Sequence, residues 1–117
     1  MEKQISVLIA DTDNAAAQSL SANLTCDYQI KVCDIVENGY QLIERVDILK
    51  PDVVIMDIVL PNIDGIGVLE RLSSKKKEFD NFVMPKIIVV SSIKDDYTTQ
   101  YCLNLGAKHF MMKPLSV

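Results

Sequence analysis

Asp11 and Asp13 flank Thr12 in the stretch IADTDN, directly after the apolar run ISVLIA. Asp57 ends the run DVVIMD and opens IVLPNIDG, Ser91 and Ser92 end KIIVVSS, and Lys113 stands before Pro114. These are the residue types that phosphate chemistry uses. Carboxylate oxygens suit a hard cation such as Mg²⁺, whose charge would offset the repulsion between Asp11 and Asp57. Asp57 could then attack a phosphoryl donor, with Lys113 and the Ser91 hydroxyl stabilising charge on the transferred oxygens. The product would be an aspartyl phosphate. Each residue taken alone has a plainer use. Asp13 suits a helix N-cap, Asp11 a polar strand end, Asp57 a turn, the serines a loop and Lys113 a solvated strand end.

Whether these groups meet depends on the elements that carry them. Five apolar runs, at 5–10, 30–36, 52–57, 86–92 and 108–112, read as strands. Between them lie segments with helical spacing: Ala16, Leu20 and Leu24; Leu42, Ile43, Val46 and Leu49; Ile66, Leu69 and Leu72; Tyr101, Leu103 and Leu105. The first, third and fourth strands are apolar throughout, as burial on both faces of a parallel sheet requires. The alternation predicts an α/β fold, a doubly wound five-stranded parallel sheet in a single domain spanning 1–117. In such a sheet chemistry gathers at the carboxyl ends of the strands, so four strands would bring Asp11 and Asp13, Asp57, Ser91 and Ser92, and Lys113 to one rim. The chain ends at KPLSV, just after the fifth strand. A fifth helix is therefore not expected, and apolar surface near the first and fifth strands is expected to be exposed, either because the chain is shortened there or because a partner supplies the cover.

Composition narrows the function classes. Among 117 residues, 49% are hydrophobic and 24% charged, with no apolar stretch of membrane-spanning length. The start MEKQISV lacks a secretory pattern, so a cytoplasmic location is expected. Cys26, Cys33 and Cys102 are odd in number without metal-type spacing, and are expected as buried or half-buried thiols. A formal net charge of −4 argues against nucleic-acid binding by this domain. Lys75, Lys76 and Lys77 read as a solvated loop after the third helix. His109 is the only histidine and reads as a strand residue beside Phe110; Met111 and Met112 read as core, and Tyr97 and Tyr101 as packing residues of the fourth helix.

The segments VLIAD, VVIMDIVLPNIDGIGVLERL, IIVVSS and LGAKHFMMKP together resemble the receiver domain of bacterial two-component response regulators, which has a flavodoxin-like fold. DIVLPNIDGIGVLERL and LGAKHFMMKPL are most similar to receivers of the stage-zero sporulation transcription regulators of spore-forming bacteria. This resemblance implies a phosphorelay switch rather than an enzyme. It makes Asp57 the phosphoacceptor, a histidine kinase or histidine phosphotransferase the donor, Lys113 the phosphate-pairing residue, Ser91 the switch hydroxyl and Phe110 the aromatic that reorients with it. It also implies Mg²⁺ held by Asp11, Asp57 and the Val59 carbonyl, a cis peptide before Pro114, and pairing through the fourth helix and fifth strand into a homodimer. A downstream DNA-binding domain would give the transcription output.

One position departs from the family pattern. Receivers show two adjacent acidic residues where this chain has Asp11 and Thr12. A hydroxyl is a poorer Mg²⁺ ligand than a carboxylate. A degenerate receiver that binds partners without phosphorylation is one alternative. Another, from a different class, is similarity to haloacid-dehalogenase phosphohydrolases, with Asp11 as nucleophile and Asp13 as acid, assisted by Ser91 and Lys113; it leaves Asp57 without a role and lacks a later acidic pair.

Overall fold

The computed structural model describes residues 3–93 and 95–114. Strands β1 (Ile5–Ala10), β2 (Ile30–Val36), β3 (Val53–Asp57), β4 (Lys86–Ser91) and β5 (His109–Met112) alternate with helices α1 (Asn14–Leu24), α2 (Gly39–Leu49), α3 (Gly65–Glu78) and α4 (Asp96–Asn104). All strand pairs are parallel, in the order β2-β1-β3-β4-β5. Connections from β1 and β3 leave in opposite directions, which opens a crevice at the carboxyl ends of these two neighbours.

The apolar runs became strands because both faces of the central sheet are covered. Leu8, Val54, Met56, Ile87 and Val89 join Leu42, Val46, Leu69, Leu72 and Cys102 beneath α2, α3 and α4. Val7, Ile9, Ile55 and Val90 form a smaller cluster with Ala17, and Leu20 and Leu24 pack against it from α1. Every helix starts on an Asp or Asn cap: Asp13, Asn38, Asp64 and Asp95 accept from the amides of Ala16, Gln41, Gly67 and Thr98. Each such side chain satisfies one of the amides that a helix start leaves without an intrahelical acceptor.

Described residues contain five strands and four helices. On the face that α1 occupies, Met111 pairs in register with Val90 and is 45% exposed. Apolar exposure near β5 is therefore as expected, but it corrects the reading of Met111 and Met112 as core. β5 is an edge strand with a neighbour on one side only. Cys26 is likewise exposed rather than buried, because it lies beyond the C-cap of α1. In α4 the inward residue is Cys102, fully buried, while Leu103 faces outward. Small differences in helix rotation, invisible in the spacing, decide which stripe faces inward. Lys75, Lys76 and Lys77 lie within the last turn of α3, not in a loop, where their charge complements the helix dipole. Tyr97 is 81% exposed; it stacks on Tyr101, whose hydroxyl donates to Glu70 of α3.

Candidate functional site

Three strand ends build the site through backbone bonds that continue the ladders. Asp11 N–H donates to the Val36 carbonyl at 3.0 Å, Ile58 N–H beyond Asp57 donates to Val90 at 3.1 Å, and Lys113 N–H donates to Ser91 at 2.9 Å. These bonds bring Asp11, Asp57 and Lys113 together at the crevice. Lys113 Nζ donates to Asp11 Oδ2 at 2.7 Å and to Asp57 Oδ2 at 2.5 Å. The other carboxylate oxygens accept backbone amides: Asp11 Oδ1 from Asp13 N–H and Asp57 Oδ1 from Val59 N–H, both at 2.9 Å. Both aspartates are buried, and Lys113 is half-buried. Burial alone would push the Lys113 ammonium down; its hydrogen bonds to Asp11 and Asp57, with their charges, outweigh that and raise its pKa above the ordinary lysine value. The lysine thus stays charged, and the trio carries one net negative charge.

The remaining expected residues sit around this trio. Ser91 is buried at the end of β4, but its hydroxyl donates to the Ile93 carbonyl at 2.7 Å and accepts from Ile93 N–H at 3.1 Å. It is engaged with the β4–α4 loop rather than with the carboxylates. Phe110 is half-buried against the core cluster under α4. Val59 is exposed at its side chain, and its amide is a donor to Asp57 that reasoning from side-chain types missed. The Lys113–Pro114 peptide is cis. Within IVLPNIDG, Asn62 adopts a positive φ of 70° as Ile63 N–H closes back on Pro61 O, a conformation that Asn tolerates better than most residues.

The IADTDN stretch resolves into unequal parts. Asp11 enters the site, Thr12 is exposed, and the Asp13 carboxylate is the N-cap of α1, bonded to Ala16 N–H at 3.0 Å. A phosphohydrolase arrangement would need that carboxylate as an acid over the reacting group. Replacing Asp13 with Ala should cost about 1 kcal/mol in urea unfolding, whereas Asn, an equally good cap, should cost only a few tenths. Equal losses from both replacements would mean that the negative charge, not the cap, is what matters.

For a hard cation the structure offers the carboxylates of Asp11 and Asp57, with Val59 held beside them by its amide; the Val59 carbonyl as a further ligand is what the receiver resemblance implies. All are oxygen, as Mg²⁺ requires. Among the described residues no cluster of three or more His, Cys, Asp or Glu side chains gathers at any point. The set fits the ion with two carboxylates, and solvent would fill the rest of its shell.

Comparison with known proteins agrees with this geometry. The family model for the response regulator receiver domain matches residues 7–117. The protein-glutamate methylesterase/protein-glutamine glutaminase 1 of Methanospirillum hungatei JF-1 is 33% identical over 115 residues, covering 97% of this chain and 32% of its own length. The chain therefore spans about a third of that curated relative. Among solved structures, the response regulator domain of Thermotoga maritima CheB superposes with a TM-score of 0.83 at 30% identity, covering 98% of this chain and 84% of that one. The signal receiver domain of the NarL response regulator from Mycobacterium tuberculosis gives a TM-score of 0.88 at 18% identity, covering 98% and 88%, a likeness of fold. The family model spans nearly the whole chain, which leads to one assignment: the chain belongs to the response regulator receiver domain family.

Proposed function

We propose that this receiver is a phosphorylation switch in which Asp57 accepts a phosphoryl group from a histidine kinase or histidine phosphotransferase in the cytoplasm. The observation that carries this reading is the Lys113 ammonium shared by Asp57 and Asp11 at the sheet crevice. Phosphorylation of Asp57 adds negative charge to a trio that is already net negative, so a further cation is favoured there. Asp11, Asp57 and the Val59 carbonyl would hold Mg²⁺, which supplies charge neutralisation during phosphoryl transfer. Lys113 would follow the new phosphoryl oxygens, and Ser91 would exchange its bonds to Ile93 for one to the phosphoryl group. Phe110 would turn inward as Ser91 leaves. Phosphate thus acts by favouring one of two arrangements.

The site itself performs no turnover on a separate substrate, and the output lies in what the receiver contacts through α4 and β5, a second copy included. The DIVLPNIDGIGVLERL and LGAKHFMMKPL segments support a transcription regulator of the sporulation type, with DNA contact made by another domain. The methylesterase relative marks a different output carried by the same module.

The test is intact mass after incubation with a small-molecule phosphodonor, with and without Mg²⁺, beside Asp57→Asn. A Mg²⁺-dependent gain of one phosphoryl group, absent in the variant, is expected. No gain by folded protein would favour a second reading, a phosphorylation-independent binding module. The exposed Thr12 and the use of Asp13 as the cap of α1 are what support that alternative. Thr12→Asp adds a carboxylate, and is expected to tighten Mg²⁺ binding by about tenfold, or 1.4 kcal/mol.

A further inference from the structure

At the opposite end of the strands from Asp57, the amino ends of β1, β3 and β4 meet the last turns of α2 and α3 around a groove of about 1050 Å³. Its size matches the upper end of pockets that take small molecules. The 79–85 segment forms one wall, turned back on itself by a bond from Phe82 N–H to the Phe79 carbonyl. Phe79 and Val83 line it while 53% and 83% exposed, and Phe82, Met84 and Pro85 continue the apolar surface. Nothing in the phosphorylation site requires this opening.

The rim is charged with one sign in excess. Lys3, Lys50, Lys75 and Lys86 line the groove against only two acids, Asp47 and Asp52. Asp47 is taken up by one lysine, and Asp52, whose pKa is lowered by the Ser6 amide and also by the charges of Lys3 and Lys86, offsets part of theirs, so the rim keeps an excess of two positive charges. Asp47 pairs with Lys75, whose Nζ also lies 4.9 Å from the centre of the Phe82 ring. Asp52 accepts the Ser6 amide at 2.9 Å and the Ser6 hydroxyl at 3.2 Å. Lys3, Lys50 and Lys86 make no ion pair among the described residues. Lysine stems add apolar surface while their heads supply charge, so the groove combines aromatic side chains with ammonium groups.

We propose that this groove binds a small apolar anion, an aromatic or aliphatic body bearing a carboxylate, with the body against Phe79, Phe82 and Met84 and the charge toward Lys50 and Lys86. A neutral ligand of the same shape would leave the lysines unused. A strongly hydrated anion without a body would leave the aromatic walls bare.

The test is a titration of the intact chain with naphthoate and, separately, with the neutral naphthamide, followed by amide NMR. Naphthoate is expected to shift resonances of 79–86, 50–53 and Ile5 with a dissociation constant below about 1 mM. Naphthamide should bind at least about fivefold more weakly, and Lys50→Glu with Lys86→Glu should weaken naphthoate by about tenfold, each unit charge at the rim being only partly screened. Both substitutions are at exposed positions, and a preserved spectrum elsewhere checks the fold. Equal binding of the two probes would overturn the anion assignment. No shift at the groove, or shifts centred on α1 instead, would overturn the site. Because Asp57 plays no part in this binding, Asp57→Asn should leave it unchanged, which separates this proposal from the phosphorylation reading.

Discussion

Exchange of Lys113 for Ala is expected to lower stability by about 2–3 kcal/mol, because it strands two buried carboxylates beside each other without their shared cation. The figure sits at or below the usual range for stripping a buried pair, since the Lys113 side chain keeps 22% exposure. Its pH dependence follows from the raised lysine pKa. A group whose folded value exceeds its unfolded value stabilises fully below the unfolded value and loses that contribution as pH rises through the folded one. On the alkaline side the difference between wild type and variant should therefore hold through neutral pH and close in strong alkali, above the ordinary lysine range. Mg²⁺ should stabilise the variant more than the wild type, since the ion takes over the missing charge. Urea unfolding at several pH values, with and without Mg²⁺, measures all three. A loss below about 0.5 kcal/mol would mean that solvent already screens the pair as at an exposed site.

Gly39→Ala is expected to cost about 3 kcal/mol or more, through crowding against the Ile63 backbone and the Cβ fixed to it. A methyl at this position would stand 2.0 Å from the Ile63 carbonyl oxygen and 2.8 Å from its carbonyl carbon. Neither is the end of a flexible chain, so either the start of α2 or the β3–α3 loop has to move. That puts the cost at or above the 1–3 kcal/mol common for overpacking. The same loop runs from Asp57 through Val59, and Gly39 N–H bonds to the Pro61 carbonyl at 3.3 Å. The strain should therefore reach the site. Amide NMR should show the Val59 resonance shifted together with those of 61–63, and thermal unfolding should move down by about 10 °C for a domain of this size. A variant as stable as the parent would mean that α2 and the loop separate freely, and that their packing does not hold the Asp57 loop in place.

The local patterns in this chain were sufficient for much of the fold. Continuous apolar runs at β1, β3 and β4 marked a sheet covered on both faces, and the alternation with helical spacing led to parallel connections. Once the strands are parallel, all their carboxyl ends share one rim, so the meeting of Asp11, Asp57 and Lys113 followed without knowledge of any distance. The same reasoning was weaker wherever orientation about an element's own axis mattered. It put Leu103 on the apolar stripe of α4, where that side chain instead faces outward beside the buried Cys102, and read Met111 and Met112 as core on an edge strand. The phenylalanines and proline around 79–85 were an unused signal: an apolar cluster after a helix end is unusual for a purely solvated connection.

What the sequence determined by itself is the order and direction of the elements and the rim at which their reactive ends arrive, because periodicity, caps and turn residues act over a few neighbours. Only the tertiary structure decided that Asp13 caps α1 while Asp11 meets Lys113, that Ser91 bonds Ile93, and that the ends of α2 and α3 leave a groove lined by four lysines. Those outcomes depend on register, helix rotation and the approach of segments far apart along the chain. These are set by how the whole core packs.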